Sequence, residues 1–93
     1  MTNEEEELKT AEAAKETLAA PSISQSTLRK TKDTAIRAMS VLPNEAALND
    51  ARHTVGLAVY ELILTLKDGP PSQEKIEKAK GAVEQWINQL RVA

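Results

Sequence analysis

Hydrophobic positions recur every three to four residues in four separate segments of the chain, and none sustains the alternation of a β-strand. The first segment, about 3–19, carries a thin stripe of Leu8, Ala11, Ala14 and Leu18. Thr2 and Glu5 stand at capping-box spacing, and Glu4 to Glu7 fill the first turn, where the helix dipole favours negative charge. So thin a stripe predicts a helix that is peripheral, frayed, or ordered only against a partner. "AAPSISQS" then reads as a linker.

The second segment, about 24–42, repeats Leu28, Ala35, Met39 and Leu42 at helical spacing, flanked by Thr31 and Ala38. Its cap is Ser22 with Gln25, or Ser24 itself. Pro43 ends it, and Asn44 and Glu45 open the third segment, about 45–68. "DGPPS" closes that one: Gly69 suits the left-handed closing position and Ser72 caps the fourth segment, about 73–91. There Ile76, Ala79, Val83, Trp86, Ile87 and Leu90 form one stripe. Glu77, Lys78, Gly81, Glu84, Gln85 and Asn88 form the opposite face, and Glu74 with Lys78 makes an i,i+4 pair.

These patterns predict an all-α protein: a small antiparallel three-helix bundle core (about 24–42, 45–68, 73–91) with an additional weaker N-terminal helix (about 3–19). In domain terms, residues 1–19 are an acidic helix or arm, 20–23 a linker, and 24–93 the bundle. Ninety-three residues leave no room for a second core.

"TVGLAVYELILTL", residues 54–66, is the least polar stretch, with Glu61 its only charge. As a helix it covers about 20 Å, against about 30 Å for the hydrocarbon layer, and Arg52, His53, Lys67 and Asp68 flank it. A membrane span is therefore not expected. At 100° per residue the third helix presents two apolar faces. Leu48, Ala51, Val55, Ala58, Val59, Leu62 and Leu66 form the core face. Leu57 and Leu64, with His53 and Tyr60 beside them, form a second stripe, bordered by Asp50, Glu61 and Asp68. A three-helix core does not need this second stripe. The N-terminal helix, a second copy of the chain, or a different protein would cover it.

Composition narrows the chemistry. The chain has no cysteine, one histidine and only two aromatic residues, Tyr60 and Trp86. Cysteine-based zinc sites and thiol catalysis are excluded, and His53 alone, without a nucleophile motif, reads as a helix surface residue. Gly56, Gly69 and Gly81 lie too far apart for a phosphate-binding loop. The acidic start "NEEEEL" lacks the alternating oxygen ligands and central glycine of a calcium loop. No enzyme activity, metal or cofactor is expected. The acidic N-terminus lacks the features of a secretory signal, so a soluble, cytoplasmic protein is expected.

Charge is segregated. Residues 1–19 hold six Glu against two Lys, and residues 22–42 hold Arg29, Lys30, Lys32 and Arg37 against Asp33. Arg29, Lys30 and Arg37 fall on the solvent side of the second helix, a candidate phosphate-binding patch. No aromatic interleaves with them, and the net charge is −2. Neutralisation of the patch by the acidic first helix is the plainer expectation. The leading expectation is a non-enzymatic protein–protein interaction module that self-associates, acting as an adaptor, an inhibitor or an immunity-type binding protein. Its contact surface is His53, Leu57, Tyr60 and Leu64. Nucleic-acid or nucleotide-phosphate binding through the second helix is the alternative.

Overall fold

The structure, a computed structural model of the chain, describes residues 3–41 and 46–92. It holds four helices: α1 (Asn3–Ala19), α2 (Gln25–Val41), α3 (Ala46–Asp68) and α4 (Gln73–Val92). Each end lies within one residue of the periodic pattern, and local chemistry explains why. Ser24 caps α2. Its Oγ accepts the Thr27 N–H at 3.3 Å and its carbonyl accepts the Leu28 N–H at 3.1 Å. The Ser24 N–H in turn donates to Thr17 Oγ1 at 2.8 Å, which ties the connection back onto the end of α1. The Ser72 carbonyl accepts the Ile76 N–H at 3.0 Å at the start of α4. Gly69, just beyond α3, has a φ of +144°, a conformation that a side chain would strain. Thr2 of the capping box, and Leu42, Pro43, Asn44 and Glu45 around the second helix end, lie outside the described residues.

Each helix packs against the next, and α1 also packs against α4, so the four close into a ring. The short connections make neighbours antiparallel. One core runs through all four helices. The face of α3 named from the sequence is buried, with Leu66 half-buried at its end. On α2 the inward stripe is Leu28, Thr31, Ala35 and Ala38, and Met39 is rotated to half-burial beside it. Among the described residues no helix is long and apolar enough to cross a membrane.

The position of α1 departs from expectation. Ala11 and Ala14 are fully buried and Leu18 is buried, so the helix is one wall of the core and not a peripheral arm. Its buried stripe is built largely from small side chains, which a hydropathy pattern scores as weakness. Its apolar face points into its own bundle, and it lies across the ring from α3. It therefore leaves the second stripe of α3 uncovered.

The interior also holds charge. Glu7 on α1, Arg52 on α3 and Trp86 on α4 are 0%, 1% and 0% exposed. Arg52 donates to both Glu7 oxygens, Nε to Oε2 at 2.7 Å and Nη2 to Oε1 at 2.8 Å. The Trp86 indole N–H donates to Glu7 Oε2 at 2.7 Å, and Arg52 Nη1 donates to Asn49 Oδ1 at 2.8 Å. Among the described residues no buried side-chain nitrogen or oxygen lacks a partner. A bidentate, charge-assisted pair of this kind offsets much of its desolvation cost while both partners are present. Loss of one partner strands the other. Arg52→Ala is expected to destabilise the fold by about 3–5 kcal/mol. Replacing both, Glu7→Leu with Arg52→Met, is expected to cost far less than the two single changes summed. What then remains is mainly the unpaired Trp86 indole, at about 1–3 kcal/mol. A double-mutant cycle by urea unfolding measures the coupling.

Candidate interaction face

The second stripe of α3 faces solvent. Leu57, Tyr60 and Leu64 are 52%, 47% and 42% exposed, and His53 is exposed one turn before them. From α2, Ile36 joins them at 53% exposure. Sequence reading missed Ile36. The available signal was its position off the Leu28/Thr31/Ala35/Ala38 stripe, an aliphatic residue with no core to serve. A shallow trough runs between α2 and α3 here, with Ile36, Met39, Leu57 and Tyr60 on its walls. Gly56 forms part of its floor. A Cβ added there would sit 3.8 Å from Ile36 Cγ1, an ordinary van der Waals distance, so the position has room for an alanine.

Charge differs on the two sides of the trough. On the α2 side Lys32 Nζ lies 5.6 Å from the centre of the Tyr60 ring, within cation–π range. Arg29 precedes Lys32 by three residues and Ile36 by seven, which places all three on one helical face. Arg29, Lys30 and Arg37 are exposed, and none forms an ion pair with another described residue. Asp33 stands one turn from both Arg29 and Arg37 and dilutes any field aimed at phosphate. The predicted trio is thus an open row along α2 without an enclosed anion site.

On the α4 side the acidic edge is already engaged. Lys78 Nζ donates to Glu61 Oε2 at 3.2 Å, and Lys75 Nζ lies 3.7 Å from the same oxygen. Lys78 thus reaches across to α3, where the sequence pattern pairs it with Glu74 along its own helix. Asp50 and Asp68 stand exposed at the two ends of α3. Among the described residues no cluster of three or more His, Cys, Asp or Glu is placed to hold a metal ion. No family model, curated protein or solved structure matches the chain.

The hydrogen bond from Lys78, its charge, and the charge of Lys75 hold the Glu61 carboxyl below its usual value near 4.5. A carboxyl depressed in the folded state stabilises the fold at neutral pH, and that contribution is lost as pH falls through the lowered value. Glu61→Gln is therefore expected to lower the melting temperature slightly at pH 7. The two proteins should converge as pH falls below that lowered value, where both carry a neutral side chain at this position. Thermal unfolding followed by circular dichroism across that range checks the sign.

Proposed function

We propose that this chain is a non-enzymatic protein-binding module whose contact surface is the α2–α3 face. The observation that supports the reading is where the exposed apolar side chains lie. Among the described residues five large hydrophobics are exposed, and four of them, Ile36, Leu57, Tyr60 and Leu64, share this face. The fifth, Val92, is at the end of α4. A contiguous apolar patch is a solubility liability unless a partner covers it. Tyr60 is the natural anchor, since a tyrosine buries a large rigid surface and keeps a polar tip for the partner. Adaptor, inhibitor and immunity-type roles all use a surface of this kind.

The face is surplus to folding, and this separates a binding surface from an incompletely covered core. Tyr60→Ala with Leu57→Ser is expected to leave helicity unchanged and to shift stability by no more than about 1 kcal/mol in total. Leu62→Ala, in the core, is expected to cost about 2–5 kcal/mol. Urea unfolding of the three proteins gives the comparison. A loss of several kcal/mol in the surface variant would make the second stripe part of the core. Self-association is the form of binding that needs nothing added. If present, it should appear as a concentration-dependent mass in light scattering and vanish in the surface variant.

A further inference from the structure

The trough carries its own description of what fits it. On α3 the anchors Leu57, Tyr60 and Leu64 fall at i, i+3 and i+7 and span about 10 Å, two turns of helix. Ile36 faces Leu57 and Tyr60 from α2. A groove between two helices with anchors at this spacing suits an amphipathic helix laid along it. The border on α2 is cationic, with Arg29 and Lys32 on the same helical face as Ile36 and Lys32 against the Tyr60 ring. On the α4 border Lys75 and Lys78 share the one carboxylate of Glu61, so Glu61 presents no free anion to a guest.

We propose that the occupant is an amphipathic helix of another protein, with Asp and Glu along the flank of its apolar stripe that meets α2. The proposal rests on the binding-face reading above and specifies the partner's chemistry. Acidic residues there complement Arg29 and Lys32, which speeds encounter and fixes which way round the guest lies. A second copy of the chain fits less well. Face-to-face pairing brings the cationic border of α2 against its own copy, or against the α4 border, where Lys75 and Lys78 already occupy Glu61. The acidic α1 of a second copy has no apolar stripe to offer, since Ala11, Ala14 and Leu18 are buried in its own core.

Two synthetic amphipathic peptides of roughly 18 residues, about five turns, test the proposal. They share one leucine stripe and carry either Glu or Lys on its flanks. Each is titrated against the full chain by fluorescence anisotropy at low salt and again at ~1 M salt. The Glu peptide is expected to bind at least about tenfold more tightly at low salt and to lose most of that advantage at high salt. Arg29→Glu with Lys32→Glu should reverse the preference. Tyr60→Ala with Leu57→Ser should abolish binding of both peptides, with the circular dichroism melt confirming that each variant is folded.

Equal binding of the two peptides, or a preference for Lys, overturns the acidic partner while the apolar face stands. A dimer that the Tyr60→Ala, Leu57→Ser variant dissolves overturns it in favour of a second copy. A single-stranded oligonucleotide that binds wild type but not this variant assigns the face to nucleic acid. Binding of neither peptide, or binding of the Glu peptide that survives loss of Tyr60 and Leu57, removes the proposal; if no other occupant binds the face, the reading it rests on falls with it.

Discussion

A carboxylate lies fully buried on α1, held by an arginine from α3 and a tryptophan from α4, and it determines where α1 can sit. α1 and α3 occupy opposite corners of the ring, with no close backbone approach between them. Only long side chains can join them, and the Glu7–Arg52 pair does so at 2.7 and 2.8 Å. A hydrophobic pair of similar volume would also join the corners, at the cost of leaving the Trp86 indole N–H without its acceptor. The ionic pair adds selectivity against other arrangements. A one-residue slip of α1 turns Glu7 by about 100° about the helix axis and leaves Arg52 charged and alone in the interior. Alanines alone, which tolerate many registers, would not impose that penalty.

The same constraint shapes the surface. Because α1 is bound into the wall opposite α3, it cannot fold over the second apolar stripe of that helix. Leu57, Tyr60 and Leu64 stay open to solvent together with Ile36. The polar cluster and the apolar face thus exchange the places that simple hydropathy would give them: charge at the centre, hydrophobes outside. Both cost stability or solubility by themselves. The first is offset within the molecule by three hydrogen bonds to one carboxylate. The second is offset only when something binds.

Helix positions were legible because periodicity and capping residues act locally. Ser24, Gly69 and Ser72 set helix ends through backbone geometry that neighbouring residues determine. The two faces of α3 were legible for the same reason. What sequence reading lost was the role of α1, and the reason is specific. Glu7 falls four residues before Ala11 and seven before Ala14, on the apolar stripe itself. Arg52 falls four residues after Leu48 and three before Val55, on the core face of α3. Each alone looks like a charge at a helix start or a flank. Opposite charges at core positions of two helices signal a buried pair, and the signal appears only when both stripes are read together. Ile36 was hidden differently: its exposure depends on how α2 rotates against α3, which no single helix reveals.

Trp86 offers a direct view of the central claim, because it is the sole tryptophan and its indole N–H is one of the three donors to Glu7. Hydrogen exchange of that one proton, followed by NMR under native conditions, reports how often the cluster opens. If Glu7, Arg52 and Trp86 hold α1 as an integral wall, the indole exchanges only through global unfolding. Its opening free energy then equals that of the slowest amides of α3 and the value from urea unfolding. An indole that exchanges markedly faster than those amides would mean that α1 leaves the bundle while α2, α3 and α4 stay folded, and would contradict the account.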